Sequence, residues 1–213
     1  MLIEYIENKL LKPRSIEKRQ YQITLADKCF KENLLVVLPT GLGKTTVALL
    51  TISKFLSLNS DKQYLFLAPT KPLTNQHYRF LKNSLNIDEE NITSITGEDP
   101  LKTRKSNWTK KIICATPQIA CSDISKGLFK LSNLALVIFD EVHYINDKHR
   151  GKVWEECIIL LPKTINLVMV DVETGLPPNA DTKNIIYESF KSEDNFIVGL
   201  EKSSNKDRLR SYD

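Results

Sequence analysis

The chain of 213 residues has little cysteine and less histidine. Its four cysteines, Cys29, Cys114, Cys121 and Cys157, are widely spaced and form no C-x-x-C pair. That argues for small buried hydrophobes in a reducing compartment. Three histidines are too few for a His-rich metal site. No apolar run approaches membrane-spanning length. The apolar start Met1-Leu2-Ile3 runs into Glu4 and Glu7, unlike a secretory leader. No repeat and no low-complexity stretch is found. The expected location is the cytoplasm, or the nucleus in a cell that has one, with no membrane partner.

What remains is an ordinary globular composition, 41% hydrophobic and 26% charged. The length allows one large α/β domain with a substantial core, not two. A net charge of +4 and a pI near 8.7 permit a polyanion partner without requiring one.

Along the chain, apolar runs of strand length alternate with helical spacings. Residues 1–13 read as a short helix or arm ended by Pro13, and Ile23, Leu25, Ala26, Cys29 and Phe30 have a helical spacing. Strands are predicted at Leu34–Leu38, Tyr64–Ala68, Ile92–Ile95, Lys111–Ala115, Leu134–Phe139, Ile165–Val170 and Phe196–Leu200, and helices at Lys44–Leu58, Leu73–Leu85, Val153–Leu161 and Thr182–Phe190. Strands that are apolar throughout indicate a mostly parallel sheet covered by helices on both faces, an α/β fold. The loops with chemical content (39–45, 68–72, 115–118, 140–143 and 171–174) all follow strands. In such sheets ligands bind beyond the carboxyl ends of the strands.

The segment Leu38-Pro39-Thr40-Gly41-Leu42-Gly43-Lys44-Thr45-Thr46 has the layout of a phosphate-binding loop between a buried strand and a helix N-terminus. Glycines let the backbone wrap a phosphate chain, and the helix start adds free N–H groups and a positive dipole end. Lys44 would meet the β- and γ-phosphates, and the Thr45 hydroxyl would hold Mg²⁺. The strict pattern has Gly at position 38, where this chain has Leu38. At the end of a later strand, Asp140-Glu141 supplies one carboxylate for the metal and a second to accept a proton from the attacking water. Glu141 is the better placed for the proton.

Together these motifs, with Val142-His143 after the carboxylates, resemble superfamily 2 helicases of the DExH type, whose loop does not keep the first glycine. The resemblance implies a RecA-like P-loop NTPase domain using ATP and Mg²⁺. Arg19-Gln20-Tyr21-Gln22 resembles the glutamine motif, in which Gln22 would read adenine. Pro69, Thr70, Lys71 and Gln76, then Thr96 and Gly97, then Thr116, Pro117 and Gln118 match the motifs that line the nucleic-acid backbone. Residues up to Gln118 look most like archaeal Hef and the Fanconi-anaemia M translocases. The segment from Asp140 to Pro162, with Pro178–Asp181, is similar to Ski2-like helicases. DNA and RNA both stay open as substrates.

The resemblance implies three domain segments: an arm at 1–13, the RecA-like domain at 14–190, and a tail at 191–213 leading towards a second RecA-like domain. That second domain supplies arginine fingers in the family, and nothing after residue 181 resembles its motifs. Weak hydrolysis by this chain alone is therefore expected. The motif that couples hydrolysis to movement through His143 is reduced to Thr174, with Glu173 beside it. An isolated binding module without turnover is the alternative. A minor one is the Asp171-Val172-Glu173 stretch, which resembles the first metal-binding motif of DnaQ-like exonucleases. The basic segment from Lys102 to Lys111 either extends the nucleic-acid track or is a solvated element whose Trp108 packs on the core.

Overall fold

Apolar runs without polar alternation decide the architecture. In the computed structural model, residues 3–59 and 61–171 are described, together with the backbone of two strands beyond them. The strands are β1 (Leu34–Val37), β2 (Gln63–Leu67), β3 (Ile92–Ile95), β4 (Ile112–Ala115), β5 (Leu134–Asp140) and β6 (Asn166–Asp171). They pair in parallel in the order β3-β4-β2-β5-β6-β1. β7 (Phe196–Glu201) continues the sheet parallel to β1, and β8 (Arg208–Tyr212) closes it antiparallel. The sequence reads as a polar tail where β8 lies. The predicted helix at Thr182–Phe190 falls outside the described residues.

Successive strand residues point to opposite faces, and both faces are buried. Leu34, Val36, Tyr64, Phe66, Ile112, Cys114, Leu136, Ile138, Val168 and Val170 form one core with α1 (Gln20–Lys31) and α2 (Lys44–Leu58). Leu35, Leu65, Leu67, Ile113, Val137, Phe139, Leu167 and Met169 form the other, covered by Trp154 and Cys157 of α6 (Gly151–Leu160). α3 (Lys71–Ser84), α4 (Leu101–Asn107) and α5 (Pro117–Ser125) complete the helices. The α2 bounds match the sequence reading; α5 was not foreseen.

The N-terminal arm is not helical among its described residues. It folds back along the domain, with Tyr5 bridged to Glu17 and Leu11 to Leu85. All four cysteines are buried and free. Burial pushes the Cys29 thiol up to about 12, and raises Cys114 and Cys157 further. These thiols are packing groups, as the spacing implied. No described helix is long and apolar enough to cross a membrane.

Candidate functional site

The carboxyl ends of β1, β5 and β6 meet at one edge. After β1, Gly41 (φ 86°) and Gly43 (φ 81°) take the left-handed conformation that side chains disfavour. Gly43 is also pressed from outside: a Cβ there would lie 2.3 Å from Gln22 Nε2. Gln22 is buried and donates to the Leu42 carbonyl at 2.9 Å, and the Tyr21 hydroxyl donates to the same oxygen at 2.7 Å. The glutamine motif thus braces the loop from behind. No side chain caps the start of α2, so its first-turn N–H groups stay available to an anion. Thr40 and Gly41 are exposed, and Leu42, Gly43, Lys44, Thr45 and Thr46 half-buried, around that helix start.

The two halves of the predicted phosphate site, 97 residues apart in sequence, touch here. Lys44 Nζ lies 3.2 Å from Glu141 Oε1, both side chains largely shielded. Glu141 is in the left-handed region (φ 57°, ψ 52°). A non-glycine residue held there costs on the order of 1–3 kcal/mol and is kept where the surroundings demand it. The turn aims its carboxylate at the loop lysine. Asp140, at the end of β5, is 4% exposed. Its Oδ2 accepts from His77 Nε2 at 2.6 Å. His143 donates from Nδ1 to Asp171 Oδ1 at 2.7 Å and sits 3.4 Å from Glu141 Oε2. The donor atoms of Glu141, His143 and Asp171 all lie within 4.8 Å of one another. Thr174 and Glu173 fall outside the described residues. Asp171, the first carboxylate of the exonuclease-like motif, ends β6 between β5 and β1 and holds His143.

A second concavity, about 310 Å³, opens beyond the ends of β3 and β4. Lys71, Thr96, Gly97, Thr116 and Gln118 line it, bringing together three of the predicted backbone-binding motifs. The remaining residues of those motifs do other work. Thr70 caps α3, accepting from the Leu73 amide at 3.4 Å. Pro69 and Pro117 are buried, and Gln76 is exposed away from the lining. In this state the donors are already engaged by acidic neighbours. Lys71 is paired with Glu98, and Asp99 Oδ2 accepts from the Thr96 amide at 2.6 Å and its hydroxyl at 3.1 Å.

The basic segment resolves towards packing. Trp108 is 2% exposed, stacks on Phe129 at 4.3 Å and donates to Asp123 at 2.8 Å. Arg104 is buried in an ion pair with the same Asp123 at 3.1 Å. Lys102 and Lys105 alone among its α4 cations are exposed.

Sequence reading missed His77. A signal was present: Thr74, His77, Leu81 and Ser84 are the buried face of α3, at the spacing of one helical stripe. A polar ring on such a stripe needs a buried partner.

Comparison with known proteins bears on these motifs directly. A model of the DEAD/DEAH box helicase family matches residues 19–170. A Methanocaldococcus jannaschii protein described as a candidate ATP-dependent RNA helicase is 42% identical over 146 residues, which is 68% of this chain and 19% of that protein. The ATP-dependent DNA helicase mph1 of Sclerotinia sclerotiorum is 36% identical over 127 residues, 59% of this chain and 10% of its own. The crystal structure of the Pyrococcus furiosus Hef helicase domain superposes with a TM-score of 0.77 at 30% identity, covering 91% of this chain and 41% of that one. The chain therefore spans a fifth or less of the length of these curated relatives.

Proposed function

The chain belongs to the DEAD/DEAH box helicase family, and from that premise we propose that it is the ATP-binding RecA-like half of a helicase or translocase motor, coupling MgATP hydrolysis to movement on DNA or RNA. The observation that carries the proposal is the Lys44–Glu141 pair at 3.2 Å, at an uncapped helix start with Asp140 beside it. A lysine and a carboxylate brought together from distant motifs, with one of them in a strained backbone conformation, is a site arranged for a ligand between them.

In this reading Lys44 exchanges Glu141 for the β/γ-phosphates, and the N–H groups of residues 41–46 cradle the chain. The donor set suits a hard cation: the Thr45 hydroxyl and the Asp140 carboxylate would hold Mg²⁺, which neutralises phosphate charge. Glu141, released from Lys44, accepts the proton of the attacking water. Gln22 fixes the loop and faces the adenine side. His143, held by Asp171, would couple this edge to Thr174. Lys71, Thr96, Gly97, Thr116 and Gln118 hold a strand by its phosphates, which positions without reading sequence.

Residues 14–190 form the first motor domain in this proposal, with the arm at 1–13 and the tail at 191–213, whose β7 and β8 extend the domain's sheet. A second RecA-like domain elsewhere in the full protein supplies the arginine fingers, a contribution on the order of 10³–10⁵ in rate. The test is nucleic-acid-stimulated ATP hydrolysis by this chain, alone and with such a domain, against Lys44→Ala. Stimulated turnover that depends on Lys44 is expected. Its absence in both formats favours the second reading, a module that holds nucleotide or nucleic acid without turnover. One feature favours that reading: Asp171 places a carboxylate on His143 beside Glu141.

A further inference from the structure

Asp140 enters the proposed nucleotide site already held by another residue. Asp140 is 4% exposed, and among the described residues no lysine or arginine pairs with it. Instead His77 Nε2 lies 2.6 Å from Oδ2. An ionised carboxylate only accepts, so the Nε2 proton belongs to the histidine. The ring stacks on Phe66 with centroids 4.4 Å apart and planes 9° from parallel. His77 is 2% exposed, and its other nitrogen, Nδ1, is buried without a hydrogen-bond partner among the described residues.

A histidine placed only for packing is poorly explained by this geometry. An apolar ring would stack on Phe66 equally well and leave no orphaned nitrogen, whose burial carries a desolvation cost. What the histidine adds is one donor, directed at one oxygen of Asp140. That bond restrains the carboxylate's rotation and occupies Oδ2, which leaves Oδ1 as the oxygen His77 does not hold. Groups that orient a metal-binding residue in this way tune the metal's affinity without touching it.

We propose that His77 is a positioning residue for the divalent cation of the nucleotide site: its Nε2–H orients Asp140 so that Oδ1 meets Mg²⁺. This rests on the ATP-site reading given above. His77 lies on α3, whose first residue is Lys71. One helix thus carries both a strand-binding lysine and the residue that sets the metal carboxylate.

The test is binding of a fluorescent ADP to the full chain, titrated with Mg²⁺ and repeated in EDTA. The variants are His77→Phe, His77→Gln and Lys44→Ala. His77→Phe keeps the stack and the bulk but has no donor. It is expected to raise the half-saturating Mg²⁺ concentration by about 10- to 100-fold, with metal-free ADP binding unchanged. His77→Gln, which can still donate, recovers most of that loss. A purely structural role would move both arms together.

Should His77→Phe fail to fold, ring-nitrogen NMR of the wild-type chain replaces it. With only three histidines to assign, the His77 signals should show an Nε2–H ring and shift when Mg²⁺ is added to the ADP-bound chain. A wild-type Mg²⁺ requirement in folded His77→Phe, or His77 signals indifferent to Mg²⁺, overturns the inference while leaving the ATP site standing. Wild-type binding that ignores both Mg²⁺ and Lys44 overturns the ATP-site reading and the role of His77 with it.

Discussion

Two lysines at the carboxyl edge of one sheet are each held by a glutamate, and the two pairs differ in setting. Lys44 and Glu141 lie at the β1 and β5 ends, with side chains 12% and 22% exposed. Lys71 and Glu98 lie beyond β2 and β3, 44% and 78% exposed. Exposed pairs contribute little and exchange freely with solvent ions. The shielded pair has a defined geometry, a strained backbone on one partner and a braced glycine loop on the other. The nucleotide edge is pre-organised. The proposed nucleic-acid edge is only screened: Glu98 and Asp99 occupy its donors, and in this proposal phosphates would displace them. The first should tolerate almost no change, and the second should respond by degrees.

The largest expected effect is at Glu141. Glu141→Gln should reduce stimulated hydrolysis by about 10²- to 10⁴-fold, the usual worth of a general base, while nucleotide binding survives. Simultaneous loss of binding would show Glu141 to be a loop anchor instead.

Trp108→Ala removes a buried, stacked and hydrogen-bonded indole. A cost of about 3–5 kcal/mol is expected in chemical denaturation. The salt dependence of strand binding should stay as it was, since the ring faces the core. A changed salt slope in folded protein would return this segment to the strand track.

Gly43→Ala should come next. A left-handed alanine costs on the order of 1–2 kcal/mol, and its Cβ would displace Gln22, 2.3 Å away. Weaker nucleotide binding is expected in calorimetry, with strand binding intact. At the strand edge, Glu98→Gln with Asp99→Asn should tighten binding a few-fold in anisotropy titrations at low salt. An unchanged affinity would mean that these carboxylates do not compete with phosphates.

The smallest effect concerns Asp147. Its Arg150 partner, then the His149 and Arg150 amides, hold its carboxyl down at about 2. A depressed carboxyl stabilises the fold above its ordinary value of 3.8 and loses that contribution as pH falls towards 2. Asp147→Asn should flatten acid unfolding in that window and leave both ligand edges alone.

Legibility in the sequence followed the same division. The glycine turn at 39–46, Asp140-Glu141 and the placing of the other motifs just after strands could be read because each depends on local spacing: apolar run, turn, chemical residue. The order of the strands in the sheet could not. The parallel sheet was legible for the same reason, since strands such as Leu34–Val37 are buried on both faces and show no polar alternation. Contacts across the fold were not. His77 on Asp140, Asp171 on His143 and Asp99 on Thr96 join residues whose pairing depends on how helices and loops dock. The sequence alone leaves Trp108 between two readings because a basic helix with one buried face has the same composition as a binding track. Asp123, 15 residues later, decides between them by pairing with both Arg104 and Trp108.

The most direct test of the account is a crossed comparison of Lys44→Ala and Lys71→Ala in nucleotide and strand titrations. Lys44→Ala should lose Mg²⁺-dependent nucleotide binding and keep its strand affinity. Lys71→Ala should keep nucleotide binding, weaken strand binding and lower the salt slope by about one. Loss of the same ligand in both variants, or of neither, would contradict two separately built sites on one sheet edge.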